Sequence, residues 1–402
     1  MKVIFSIVVF LACSFLFGCN RSSRATSIER EDLFTLDIGI MEDQIALFDL
    51  EGNHGKRLAN HVMRDGLFYI SDGNGAKILR YNSFGDLLFM IYNEETNPPP
   101  MTLRPLTDGI LITRWSVPFP LVEPGEIAVD SRRHIYVRDR LPPDQHRFDT
   151  ETRSLLSNVI LHFDAYGRFL NYLGREGIGG TPFPRIEGIY TSVNDELVVI
   201  CRHHLGWDIY WYNSEGALLF MVQLNSEALP IPPDRENVFP SLDRISVAVD
   251  ERALFIKIDY YRHIYDESTN LRAGIEADSS VIWVMNVENG VWERHIDIPF
   301  FEYTVIRQNR RVTYRMFYSL LGMTRNGRAV LTFPVEAGYS ILIISTDASG
   351  VQYRGFIDVD NEEMQFNAFS LSADGILSAL LVDDWQVRLV WWRTDRFMGE
   401  GS

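Results

Sequence analysis

The chain has 402 residues, with 38 Lys and Arg against 54 Asp and Glu, for a formal net charge of −16. An acid excess of that size argues against nucleic acid as a partner, because phosphate-backbone affinity rests on clustered Lys and Arg. The 46% hydrophobic and 23% charged residues are those of a folded chain, and three Cys exclude a dense disulfide scaffold and a four-thiolate zinc site. At roughly 150 residues per domain, length alone predicts two or three domains.

Met1-Lys2 is a short charged start, and Val3 to Phe17 is an apolar run that ends in small residues and Cys19. The run is too short for a transmembrane helix of roughly 20 residues and suits the h-region of an export signal. Leu16-Phe17-Gly18-Cys19 resembles the lipobox of bacterial lipoproteins, although Phe17 stands where small residues are usual. The resemblance implies that residues 1–18 are cleaved, that Cys19 is diacylated, and that the chain is anchored to an envelope membrane, periplasmic or surface-facing. An ordinary cleaved signal without lipid is the alternative, and Cys13 is a competing acceptor that leaves a short h-region. Residues 19–32 are polar and predicted as a flexible tether. Cys201 is then the one remaining thiol, on an apolar strand that favours a buried structural role.

From residue 33 onward one pattern repeats: apolar strand, turn, strand, variable loop, strand, tight Asx/Gly turn, strand. The clearest copy is Gly66 to Asn93, whose last turn is Asn82-Ser83-Phe84-Gly85-Asp86. That turn recurs as Asp164-Ala165-Tyr166-Gly167-Arg168 and Asn213-Ser214-Glu215-Gly216-Ala217, and more loosely near Gly290 and Gly350. An earlier turn recurs six times, at Asp65-Gly66, Asp130 to Arg133, Asn194-Asp195, Asp250 to Arg252, Asn326-Gly327 and Asp374-Gly375. Units of roughly 40–50 residues with four strands are the mark of a β-propeller. The expected fold is all-β: a single domain over 33–398, a six-bladed propeller of four-stranded blades. The last copy supplies only three strands, so Leu33 to Ile38 is expected to pair with Val387–Trp392 and close the ring. Residues near 139–157 and 260–279 are expected to be loop insertions between second and third strands. Residues 93–124, with Pro98-Pro99-Pro100, are expected to be a stiff connection.

Pro124-Gly125-Glu126-Ile127-Ala128-Val129-Asp130, followed by His134-Ile135-Tyr136-Val137-Arg138-Asp139, resembles an NHL repeat. With the lipobox, the whole resembles propeller lipoproteins of spirochaete-type bacteria. The resemblance implies an NHL-like six-bladed propeller whose usual role is binding proteins, nucleic acid or saccharides. It brings no catalytic signature.

The chemistry-bearing candidates cluster at the ends of second strands. His203 and His204 are adjacent on an extended chain, so they point to opposite sides and grip one metal poorly. Trp207 and Asp208 lie beside them. Asp72, Asp139, Asp259 and Asp383 form either a carboxylate ring suited to Ca²⁺ or strand-end caps for loop N–H groups, and the capping role is favoured. The insertions bring Arg138 and His146, then Tyr260, Tyr261, Arg262 and Tyr265, aromatics interleaved with cations as in binding hot spots. Trp385 follows Asp383. The expected binding face is Arg138, Asp139, His146, His203, His204, Trp207, Tyr260, Tyr261, Arg262, Tyr265, Asp383 and Trp385. The chain is expected to be a non-enzymatic scaffold for a protein, peptide or glycan, with no cofactor, no metal and no nucleic acid. The alternative is a metal-assisted hydrolase or lyase at the channel mouth.

Overall fold

The computed structural model describes residues 26–47, 59–106, 113–266, 268–307, 310–347, 349–362 and 364–399. The export signal, Cys13 and Cys19 lie outside the described residues. Two strands come first, β1 (Thr26–Ser27) and β2 (Arg30–Asp37). The first blade is β3 (Ala59–Arg64), β4 (Leu67–Asp72), β5 (Lys77–Asn82) and β6 (Leu87–Tyr92), widened by β7 (Arg104–Pro105) and β8 (Trp115–Pro118). The second is β9 (Ile127–Val129) and β10 (Ile135–Arg140), then a β11 (Arg147–Asp149) and β12 (Ser154–Leu156) hairpin, then β13 (Asn158–Phe163), β14 (Phe169–Gly174) and β15 (Gly177–Ile178). The third is β16 (Arg185–Thr191), β17 (Leu197–His203), β18 (Gly206–Tyr212) and β19 (Leu218–Asn225). The fourth is β20 (Val238–Val247), β21 (Ala253–Tyr265), β22 (Arg272–Asn286) and β23 (Trp292–Ile298), followed by a separate hairpin, β24 (Phe301–Arg307) with β25 (Arg310–Met316). The fifth is β26 (Ser319–Met323), β27 (Arg328–Val335), β28 (Gly338–Ser345) and β29 (Gln352–Asp358), and β1 adds to it in parallel. Last come β30 (Phe366–Leu371), β31 (Leu377–Val382) and β32 (Gln386–Trp392), whose sheet is completed by β2, with Leu36 opposite Val387.

The chain is an all-β propeller, and the expected blade plan needs correction. Counted as four-strand meanders contiguous in the chain, the blades number five, not six. The remaining sheet, β2-β32-β31-β30, is a composite of the two ends of the chain. Four strands per blade is not the rule either: the first sheet has six strands and the second and fifth have five. The physical reason is edge coverage. The connection expected as a stiff linker returns as β8 and β7 along the outer edge of β6, pairing Phe89 with Trp115, and so hides an open ladder. The insertion near 260–279 is not a loop, because β21 and β22 run on as one long hairpin to Tyr265 opposite Arg272. That near 139–157 carries a 3-10 turn at Pro143–Gln145 and the β11–β12 hairpin.

Burial follows position in the sheet. Middle strands are apolar on both sides, because each blade is sandwiched between neighbours; Phe68, Tyr69 and Ile70 on β4 are all fully buried. Outer strands alternate with exposure, as β19 does. Apolar cores fill the interfaces between neighbouring sheets. Phe68, Ile70 and Leu79 meet Leu380, Val387 and Leu389 of the composite sheet, and Val198, Ile200 and Trp211 meet Ile256, Ile258 and Trp283 across the third and fourth blades. The repeated turn has one mechanism. Asn82 Oδ1 accepts the Phe84 and Asp86 N–H groups at 3.0 and 2.9 Å, Asp164 Oδ1 those of Tyr166 and Arg168 at 2.9 and 2.8 Å, and Asn213 Oδ1 those of Glu215 and Ala217 at 3.1 and 2.8 Å. In the second copy Gly167 has φ +85°, and a Cβ there would strike the buried Phe89 ring of the first blade.

Candidate ligand site at the channel mouth

The innermost strands meet at their neighbours around most of the ring: β9 against β16 and β3, β30 against β3 and β26, and β26 against β20. Between β16 and β20 no comparable approach is made, and both strands carry a bulge there, at Ile186/Gly188 and at Leu242/Arg244. Extra residues at bulges turn the strand and re-aim its side chains. The gap opens into a cavity of about 760 Å³ at the face where first strands begin and second strands end.

Strand alternation decides what enters it. On β10, Arg138 and Arg140 face the cavity while Asp139 turns away. Asp139 instead accepts the Val122 and Glu123 N–H groups at 3.1 and 2.7 Å, and burial pushes its carboxyl up to about 6. The buried Arg138 lies flat over Gly125, where any Cβ would collide with its guanidinium, and donates to Glu126 at 2.8 Å and to the Glu123 carbonyl at 2.8 Å. On β16 and β17, Glu187 pairs with Arg202 at 3.4 Å and accepts the Trp207 indole N–H at 3.1 Å, while the Arg202 guanidinium lies 5.4 Å from the Trp207 ring centre. Tyr190 folds its ring back over Gly188, where an added Cβ would come within 2.9 Å of it. Burial pushes its hydroxyl up and the nearby Arg244 opposes the rise. Arg244 donates only to backbone, the Leu320 and Leu321 carbonyls of the fifth blade, at 3.3 and 3.2 Å. The exposed Arg185 side chain has no ion-pair or hydrogen-bond partner among the described residues. Asp243 faces the cavity and pairs with Lys257 at 3.1 Å.

Among the described residues the lining holds five Arg and four carboxylates and no histidine. Guanidinium forks bind carboxylates and other oxyanions in two-point fashion, and the Arg-engaged carboxylates keep acceptor capacity for hydroxyl groups.

The residues expected from the sequence are only partly gathered here. Arg138 lines the cavity. His146 sits in a second cavity of about 750 Å³ under the inserted hairpin, bonded to the Leu141 carbonyl at 2.7 Å. His203 pairs with the buried Asp208 at 3.4 Å, whereas His204 is exposed in the turn after β17. Trp207 is buried and holds Glu187. Tyr260 is a core residue, fully buried, donating to the Pro230 carbonyl at 2.5 Å and accepting from Trp283 at 2.9 Å. Tyr261 is half-buried and stacks on Phe239 at 5.8 Å; Arg262 pairs with Glu276 and Asp278; Tyr265 is exposed near the hairpin tip. Asp383 accepts the Trp385 and Gln386 N–H groups at 2.9 and 2.8 Å, and Trp385 is 82% exposed. Asp72 likewise caps Ala46 and Gly75, at 2.8 and 2.9 Å, whereas Asp259 binds the Lys257 ammonium. Among the described residues no group of three His, Cys, Asp or Glu is placed to hold a metal ion. Cys201 is a free, buried thiol whose burial pushes its pKa up.

Sequence reasoning missed Arg185, Arg202 and Arg244 as a set, together with Tyr190. The available signal was Arg202 near the end of the apolar strand Leu197 to Cys201; Arg244, inside β20 and next to Asp243, carries no such mark.

No family model matches the chain, and no curated protein matches it. The NHL resemblance of residues 124–139 therefore stands without a family match. Among solved structures the chain is similar to Kuenenia stuttgartiensis hydrazine synthase, at 11% identity and a TM-score of 0.42 over 84% of this chain and 80% of that one. It is also similar to the polysaccharide lyase Uly1, at 9% identity and a TM-score of 0.42 over 91% of this chain and 99% of that one. At these values the two proteins lend this chain neither a ligand nor an activity.

Proposed function

We propose that the chain is a lipid-anchored propeller of the bacterial cell envelope that binds a ligand at its channel mouth without transforming it. The observation that supports binding is the 760 Å³ cavity, whose carboxylates are engaged by Arg or Lys and whose lining includes no histidine. A general acid or base needs a free titratable group of matched pKa. A binding site needs preorganised donors, and ion pairs on rigid strands supply them. The anchor rests on the lipobox-like Leu16 to Cys19.

Two measurements test this. A photo-crosslinking residue at Leu155, which lines the cavity, is expected to capture a ligand in the native envelope. The same residue at Phe84, 86% exposed on the opposite face, is expected to capture nothing in common with it. Equal capture from both positions, or none from Leu155, defeats the mouth assignment. Cys19→Ala is expected to move the chain from the membrane to the soluble fraction, and continued membrane retention defeats the anchor.

A further inference from the structure

Resting on the mouth as a binding site, we infer that its ligand is an acidic saccharide, a chain bearing uronate carboxylates, with Arg185 and Arg244 as the carboxylate anchors. Three observations converge on this. The first is charge. In a chain with 54 acidic and 38 basic residues, the cavity reverses the ratio, with five Arg against four carboxylates. The second is which cations are free. Arg138, Arg140 and Arg202 are paired with Glu123, Glu126 or Glu187. Arg244 meets only carbonyl oxygens, and Arg185 meets no partner among the described residues. These two uncompensated guanidinium groups stand on β16 and β20, on either side of the gap between the inner strands.

The third observation is the rest of the lining. Ion-paired Arg and Glu offer donors and acceptors side by side, the pattern that a ring of hydroxyl groups satisfies. Tyr190, packed against Gly188 on the same strand as Arg185, adds an aromatic side chain to the lining. The volume suits a ligand of a few rings, inside the range of about 300–1,000 Å³ for small-molecule sites. Inorganic phosphate, which guanidinium forks also take, has no ring of hydroxyl groups to engage the paired Arg and Glu.

The experiment is calorimetric titration of the full chain in detergent with three uronate trisaccharides (galacturonate, mannuronate and a glucuronate-containing one), with maltotriose, and with a triglutamate peptide. At least one uronate is expected to bind at least about tenfold more tightly than maltotriose and triglutamate, the difference that one charge-assisted contact supplies. Arg185→Gln and Arg244→Gln are each expected to weaken that binding about tenfold. The Arg185 side chain has no partner among the described residues to lose, so its variant tests the anchor with little risk to the fold. Binding is also expected to fall as salt rises. No uronate binding, equal binding of maltotriose or triglutamate, or unchanged affinity in Arg185→Gln overturns the inference. If the uronates fail while Leu155 still captures a ligand in the envelope, the saccharide class falls and the mouth reading stands. If both fail, the mouth reading falls with it.

Discussion

Replacing Lys257 by Met should destabilise the fourth blade more than any surface change can. The Lys257 side chain is fully buried between the fourth and fifth blades, 2.7 and 2.8 Å from the two Asp259 oxygens and 3.1 Å from Asp243, with its ammonium 5.8 Å from the Phe317 ring centre. Asp259 is itself 7% exposed and accepts a further bond from Ser280 at 2.6 Å. Met fills nearly the volume of the lysine stem, so little cavity is added. What remains is a buried carboxylate facing a second one with no cation between them, and breaking a buried pair in this way costs about 3–5 kcal/mol. Asp243 is partly exposed and rehydrates, which places the loss near the lower end. In urea the unfolding midpoint should fall by about 1 M, read by tryptophan fluorescence. Adding Asp259→Leu should recover most of the loss, because the stranded charge is then gone. The pH dependence has a definite sign. Burial raises the Asp259 pKa and Lys257 opposes the rise. Without Lys257 the folded-state pKa climbs further above the unfolded value, so the deficit of the single variant should shrink as pH falls. A single variant within about 1 kcal/mol of the parent, or a double variant less stable than the single, would refute the reasoning.

Two buried groups should tilt stability in opposite directions. Asp139, raised to about 6, takes up its proton more readily folded than unfolded, so its contribution is full below about pH 4 and lost as pH rises through about 6. Asp139→Asn should flatten that slope of about 3 kcal/mol in denaturation curves taken across the window. His61 is buried, bonds Ser378 of the composite sheet at 2.9 Å, and is lowered to about 3 by burial. Its depressed pKa gives stability that is present above about pH 6.5 and lost as pH falls toward about 3. His61→Gln should make acid unfolding less steep, and an unchanged acid midpoint counts against the assignment. Gly66→Ala and Gly167→Ala separate backbone from steric cost. Both glycines have positive φ, +72° and +85°, but only Gly167 faces the Phe89 ring. The first substitution should cost about 1–2 kcal/mol and the second a further 1–3 kcal/mol by thermal melting, and equal losses would remove the steric part.

The propeller was legible because its signals are local. Asx/Gly turns at Gly85, Gly167 and Gly216 bond within four residues, so the sequence around each is sufficient to read it. The end-to-end pairing of β2 with β32 was legible for a different reason: three strands without a fourth leave an open edge, and Leu33 to Ile38 was an unassigned apolar segment. What defeated sequence reading was edge chemistry and bulges. Nothing in Trp115 to Pro118 marks it as a parallel partner of β6, because the pairing depends on an edge that only the folded blade presents. Tyr260 belongs to the stretch that interleaves aromatics with cations and is expected on the binding face, yet the hairpin continues past Asp259 and sets it opposite Pro240 in the core. The five arginines at the mouth come from four different strands, and no spacing in the chain records that convergence.

The location of the cavity follows from the same two bulges. A regular inner strand turns every second side chain toward its blade's neighbours, and such strands close on one another, as β3 and β30 do. At Ile186/Gly188 and Leu242/Arg244 an extra residue breaks that alternation on both sides of one junction. The cost is the missing contact between β16 and β20, and the core beneath, where Ile200 and Ile245 pack, holds the two blades together instead. The gain is that two guanidinium groups stand at the gap without an ion pair among the described residues: Arg185, and Arg244, which donates to the Leu320 and Leu321 carbonyls. A cation without an ion pair, on strands held rigid by a core below, has few partners to give up when a ligand arrives. That makes it the part of this surface with the most binding energy left to give.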